Sequence, residues 1–198
     1  MDKQISRKYF NEQAEHWDET ARNNDPVKLR ALADRLQIPH HSWLLDVGTG
    51  TGVFLPYLKE RTSHDSSIIS MDYAFNMLTL AKAKQNGNTI HYICAEIETL
   101  QFIGGQFDTV VCYSTFPHFH DKPRALENIH SFLKPGGWLY ICHTASRETI
   151  NNIHRNIPGF EDHLLPERSE MAVLIKDAGF KEFEIDEESD SYLLSAKK

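Results

Sequence analysis

Leu44-Leu45-Asp46-Val47-Gly48-Thr49-Gly50-Thr51-Gly52 is the stretch that decides the fold of this chain. Its first half belongs to a short apolar run, Trp43 to Val47, interrupted only by Asp46, which reads as a buried strand. Its second half alternates glycine with threonine, and glycine permits positive φ and lets a ligand approach the backbone without meeting a Cβ. A helical run from Val53 to Glu60 follows, so the free N–H groups of a helix start are expected beside the turn. Strand, glycine turn and helix open a βαβ unit, where ligands bind beyond the carboxyl ends of the strands.

Outward from this stretch, strand-like and helix-like segments alternate. Ile68 to Met71 reads as the second strand and Ala74 to Lys84 as the helix after it. Ile90 to Cys94 is the third strand, and Phe107 to Tyr113 the fourth and most β-rich. Arg124 to Leu133 reads as an amphipathic helix stopped by Lys134-Pro135-Gly136-Gly137, with Trp138 to His143 as the fifth strand. This spacing implies right-handed crossovers and a parallel sheet covered on both faces. A helix over Ser169 to Ala178, ended by Gly179, precedes two runs, Phe180 to Asp186 and Ser191 to Ala196, that read as a hairpin. Residues 4–20 and 26–37 read as helices outside the sheet. The expected fold class is α/β: a doubly wound, mostly parallel seven-stranded Rossmann-like sheet with an antiparallel edge hairpin and N-terminal helices. One domain is expected over 1–198, with an N-terminal helical lid 1–38, a ligand-binding half 39–143 around the glycine turn, and a loop, helix and edge strands over 144–198.

Composition narrows the function. With 198 residues, 40% hydrophobic and 25% charged, the chain has the balance of a globular domain. No apolar run approaches the ~20 residues of a membrane span. Met1 to Arg7 lacks the apolar core of a signal peptide, so a cytoplasmic location without membrane insertion is expected. The net charge of −7 weighs against a nucleic-acid partner, which needs clustered Lys and Arg. Cys94, Cys112 and Cys142 fall in predicted strands without CxxC spacing and read as reduced thiols filling the sheet. The expected partners are a small molecule and, at most, a second copy of the chain in a homodimer.

Gly48 to Gly52 is GxGxG, with Val53 where a dinucleotide fingerprint places its third glycine. That spacing favours a ligand without a pyrophosphate. Asp46 would repel phosphates, and suits a cationic amine or a role in ordering the backbone. Asp72, at the end of the second strand, suits a carboxylate that accepts both hydroxyls of a ribose, or caps the helix from Ala74.

These segments resemble the class I S-adenosylmethionine-dependent methyltransferases, in particular the compact branch that includes the quinone-biosynthesis enzymes. Leu44 to Gly52 is similar to the family's first motif, and Met71-Asp72 with Asn76-Met77-Leu78 to its ribose-binding strand end and the helix behind it. Ala95 to Leu100 resembles its adenine motif, Gln106 to Val111 its fourth strand, and Leu133 to Leu139 its signature before strand five. The resemblance implies S-adenosyl-L-methionine as cofactor. Asp46, Gly48, Thr49 and Gly50 would hold its methionine portion, and Asp72 its ribose hydroxyls. Tyr73 would lie along the adenine, with Met77 in the helix behind it. Glu96 would accept from the adenine amino group while Ile97 covers the ring, and the backbone at Cys112 and Tyr113 would face the ammonium. The family more often has Asp where Glu96 stands, and the extra methylene shifts the carboxylate by roughly 1.5 Å.

Methyl transfer is an in-line displacement at an already activated carbon, so the enzyme's task is chiefly alignment in a dry site. A base is needed only when the acceptor must lose a proton. The segment Tyr113-Ser114-Thr115-Phe116-Pro117-His118-Phe119-His120 lacks the Asn/Asp-Pro-Pro-Tyr signature of amide and ring-nitrogen methylation. His118 and His143 are the candidate catalytic residues. The chain has eleven histidines, and His143, His154 and His163 lie beyond strand five without a zinc spacing. They read as unconnected polar residues of a loop and its short helix, and no metal is expected. Tyr9 to Asp18 resembles the family's lid over the cofactor, although an aromatic stripe at helical spacing also suits core packing. Two alternatives stand beside the methyltransferase: a non-enzymatic S-adenosylmethionine sensor or partner subunit, and a nicotinamide-dependent oxidoreductase.

Overall fold

The computed structural model describes residues 3–20, 25–85 and 89–198. Among these residues seven strands form one sheet in the order β3-β2-β1-β4-β5-β7-β6. They are β1 (Trp43–Val47), β2 (Ser67–Asp72), β3 (Ile90–Cys94), β4 (Phe107–Tyr113), β5 (Leu133–His143), β6 (Glu182–Glu187) and β7 (Tyr192–Lys197). The first five run parallel, and β7 lies antiparallel between β5 and the edge strand β6. This is the architecture expected from the alternating periods, hairpin included. Strand order reverses at β1, which pairs β2 on one side and β4 on the other, so the crevice opens above the carboxyl ends of these strands.

The helices are α1 (Lys3–Gln13), α2 (Trp17–Thr20), α3 (Pro26–Asp34), α4 (Leu55–Arg61), α5 (Phe75–Lys84), α6 (Lys122–Phe132), α7 (Arg147–Arg155) and α8 (Arg168–Asp177). Successive side chains of a strand point to opposite faces. Leu45, Val110 and Ile141 are buried on the face that carries Ile129 of α6 and Ile175 of α8. Leu44, Val111 and Tyr140 are buried on the face that carries Leu32 of α3 and Leu58 of α4. A smaller cluster joins Phe10 and Ala14 to Met77 and Phe160, so the N-terminal helix packs on α5 and on the segment after α7. Of the N-terminal segment 1–38, residues 1–2 and 21–24 lie outside the described residues.

Several boundaries differ from the sequence expectation, three of them for a clear physical reason. α4 begins at Leu55, not Val53, because Gly52 has φ +80° and Pro56 suits a first turn rather than an interior. The helix start therefore stands off from the glycine turn. The helix after Asp25 stops at Asp34, short of residue 37, as Arg35 and Leu36 tighten into i→i+3 bonds. β5 begins at Leu133 rather than Trp138: Leu133 pairs with Phe107 and Trp138 with Thr109, so Lys134 to Gly137 bulge out of the strand. The proline and glycines do end α6 as expected, but the chain stays in the sheet.

Candidate active site

Gly48 and Thr49 both donate their N–H groups to the Met71 carbonyl, at 2.7 and 2.9 Å, which folds the turn back over β2. Gly48 has φ +71°, and a Cβ there would stand 2.0 Å from Thr115 Oγ1 in the loop after β4. Glycine is therefore required at 48 by a neighbour inside the protein. Gly50, at φ +55°, has nothing within 4 Å of the position a Cβ would take. It leaves an open cradle. Gly52 packs against Ala81 and Leu55, holding α5 close to the turn.

Asp72 ties this turn to the start of α5. Its Oδ2 accepts from Gly50 N and its Oδ1 from Ala74 N, both at 2.8 Å. The residue that caps α5 is Ala74, so Asp72 organises the loop and does not act as the helix cap. The carboxylate keeps acceptor capacity beyond these bonds. Burial pushes its acidity up to about 6, against the backbone donors from Ala74, Gly50 and Tyr73. Asp46, 2% exposed, is raised by burial to about 7. Its Oδ2 and the Thr49 hydroxyl have no hydrogen-bond partner among the described residues. Two buried carboxylates and an unpartnered hydroxyl beneath an open glycine cradle are the groups a cationic, hydroxyl-bearing ligand would satisfy.

A narrow open cleft runs from Gly48 past Asp72 and Tyr73 to Glu96 and Ile97, and along His118. Six of the residues singled out from sequence thus line one cleft. Ile97 is fixed by Asn128 of α6, whose Nδ2 donates to its carbonyl at 2.8 Å. Glu96 faces the N-terminal helix: Lys3 Nζ lies 2.8 Å from Oε2, and Arg7 is 4.0 Å from Oε1. Other singled-out residues stand behind this wall. Met77 is buried against Phe10 and Phe160. Cys112 is buried on one face of the sheet, while Tyr113 turns to the other, stacks on Phe54 at 4.5 Å and meets Thr144 through its hydroxyl at 3.1 Å. Neither side chain lines the cleft. The next residue, Ser114, has φ +54°, a strained conformation for a residue with a side chain.

The histidines are connected, contrary to the sequence expectation. His118 Nδ1 is 3.1 Å from His163 Nδ1, the His118 and His154 rings lie 4.8 Å apart, and His154 Nδ1 meets the His163 carbonyl. The 3₁₀ turn over Phe116–His118, α7 and the loop to α8 fold onto one another, which residue spacing alone does not reveal. Among the described residues no three His, Cys, Asp or Glu side chains are arranged to hold a metal ion. His143, 1% exposed, has neither ring nitrogen partnered among the described residues, and burial lowers its basicity to about 3. Burial likewise holds His118 well below the usual range and His163 at about 4.

Sequence reasoning missed Lys3, Thr115 and Glu98, which also line the cleft. Thr115 carried no signal because its partner Gly48 is distant in sequence. Lys3 could be found only once α1 was known to cross Glu96.

A family model described as a methyltransferase domain matches residues 45–141. The chain is 27% identical over 172 residues to phosphoethanolamine N-methyltransferase 1 of Triticum aestivum, covering 83% of this chain and 33% of that protein. It is 29% identical over 118 residues to a ubiquinone biosynthesis O-methyltransferase of Coxiella burnetii, covering 59% of this chain and 49% of that one. The chain thus spans a third to a half of the length of these curated relatives. Among solved structures it resembles a chain from the complex between the Haloferax volcanii Trm112 methyltransferase activator and a methyltransferase, with TM-score 0.79, 18% identity and coverage of 95% and 96%. Among the described residues no helix is long and apolar enough to cross a membrane.

Proposed function

We propose that the chain, whose residues 45–141 match a methyltransferase domain, is an S-adenosylmethionine-dependent enzyme that methylates a small-molecule acceptor in the cleft between β1, β2 and the loop after β4. The observation that carries the reading is the convergence of Gly48, Asp72 and Glu96, from three separate sequence motifs, on the cleft that His118 also lines. Bound S-adenosylmethionine supplies a methyl group activated by its sulfonium charge. Asp72 is the acceptor for ribose hydroxyls, using the lone pairs not engaged by Gly50 and Ala74. Asp46 beneath the turn balances the cationic end of the ligand, and Ile97 and Tyr73 flank the adenine. Glu96 takes the adenine amino group after exchanging it for Lys3. α1 covers this side of the cleft and helps exclude water, the condition under which alignment works best. His118 lines the cleft as the proton acceptor, and His143 is an unpartnered imidazole buried behind the cleft wall, placed to orient the groups in front of it.

Titration calorimetry with S-adenosylmethionine, S-adenosylhomocysteine and NAD tests the reading. Binding of the first two with no heat from NAD is expected. NAD binding alone would reverse the assignment, and tight S-adenosylmethionine binding without transfer to any acceptor of a broad panel would favour a sensor or partner subunit.

A further inference from the structure

His118 reaches the cleft that Gly48 and Asp72 line, and behind it its Nδ1 meets His163 Nδ1 at 3.1 Å. Two neutral imidazoles can meet nitrogen to nitrogen at that distance only with a proton between them, one ring donating Nδ1–H and the other offering its lone pair. Their surroundings keep them neutral. His118 is half-buried and faces His154, His163, His143 and Lys122, while His163 is buried and faces His120, Lys122 and His154. On its far side the His163 ring lies 5.4 Å from that of His120, which is exposed and hydrogen-bonds Ser6 Oγ through Nε2 at 3.1 Å. His154 steadies the arrangement from the third side through the His163 carbonyl. His120 lines the outer part of the same cleft, so the three imidazoles run behind its wall from His118 through His163 to the exposed His120.

We propose that His118 and His163 form a proton relay that carries the acceptor's proton from the cleft toward His120, and that the acceptor is a weakly acidic O–H or S–H group, a phenol or a thiol. The proposal rests on the methyltransferase reading. As the acceptor's oxygen or sulfur bonds to the methyl carbon, the carbon–sulfur bond of the sulfonium breaks and its electron pair stays on sulfur as a neutral thioether. The acceptor's proton passes to His118 Nε2, His118 Nδ1–H passes its proton to His163 Nδ1, and His163 releases one from Nε2 to water or His120. One cation and one neutral acceptor become two neutral products and one proton. The neutral imidazole is the form that accepts a proton, and the contact between the two Nδ1 atoms gives that proton a path onward.

Two probes separate a relay from mere support: catechol, which keeps its proton at pH 7, and 4-nitrothiophenol, which is already a thiolate there. His163→Gln, which can hydrogen-bond but cannot carry a proton onward, is expected to slow methylation of catechol by about 10²-fold, the low end for one positioned proton acceptor. The thiolate rate should stay within about twofold of the parent, since no proton has to leave. An equal loss on both probes, or no loss on either, overturns the relay. A second measurement needs no acceptor: ¹⁵N NMR of the histidine rings in the full chain, with and without S-adenosylhomocysteine. One Nδ1–H proton coupled to both rings, lost in His163→Gln, is expected; two independent Nε2–H rings would overturn the pair. Absence of S-adenosylmethionine binding would instead sink the methyltransferase reading, while the NMR result still judges the pair.

Discussion

Asp72 accepts two backbone hydrogen bonds before any ligand arrives, so replacing it acts twice. Asp72→Ala should both loosen the glycine turn and remove a ribose acceptor. Each hydrogen bond to a charged group is worth ~1.5–3 kcal/mol, so affinity for S-adenosylmethionine should fall roughly 10- to 100-fold per bond lost. Calorimetric titration checks this, and unchanged affinity would remove Asp72 from the site. The glycines of the turn divide by what surrounds them. Gly48→Ala forces a Cβ into Thr115, and a destabilisation of about 1–3 kcal/mol is expected, partly relieved by adding Thr115→Gly. Gly50→Val meets no neighbour in the protein. It should cost only the ~1–2 kcal/mol of a side chain in the left-handed region, yet abolish cofactor binding. Thermal unfolding and titration of the two variants side by side decide whether Gly48 is structural and Gly50 the ligand's cradle.

At the scale of elements, α1 is held to the site by chemistry as well as by its apolar stripe. Asn11 accepts from Asn76 N at 2.9 Å and its carbonyl receives Asn76 Nδ2 at 3.0 Å, pinning α1 to α5. Phe10 is buried, and Lys3 pairs with Glu96. Deleting residues 1–20 should therefore weaken S-adenosylmethionine binding and expose Met77 and Phe160. Equal affinity of the truncated and full chains by calorimetry would reduce α1 to a packing element. Lys3→Ala alone should change affinity by less than about fivefold, because a partly exposed ion pair is worth at most ~1 kcal/mol. The aromatic spacing of Tyr9 to Trp17 was legible as a helix face, but its partners on α5 and at Phe160 were not. They lie far along the chain.

For the whole molecule, buried titratable groups pull stability in opposite directions with pH. Asp46 and Asp72 have folded values of about 7 and about 6, above the ordinary carboxylate value. The folded state keeps protons that the unfolded chain loses, so their contribution is full below about pH 4 and fades as pH rises to 7. His143 and His163 are lowered to about 3 and about 4, and His118 and His154 are lowered as well. Their contribution is present above about pH 6.5 and lost as pH falls toward those values. Four imidazoles oppose two carboxylates, so acidification from pH 6.5 to 4 should lower the unfolding temperature. His143→Asn should flatten that limb, and Asp46→Asn should stabilise the apo protein at pH 8. Calorimetry across pH measures both. A bound cation favours ionised carboxylates, so S-adenosylmethionine affinity should rise between pH 5 and 7, with Asp46→Asn reducing the slope.

The order of strands and helices, the glycine turn and the carboxylate at the end of β2 were determined by the sequence, because each depends on periodicity and backbone freedom within a few residues. The start of α4 and the bulge before Trp138 escaped it, since positive φ at Gly52 and the register of β4 against β5 are settled by neighbours across the sheet. Only the tertiary structure decided that His118 meets His163, that Thr115 demands glycine at 48, and that Lys3 faces Glu96. Each of these pairs joins residues far apart along the chain. Folding brings them together through loops and termini whose paths no local pattern encodes.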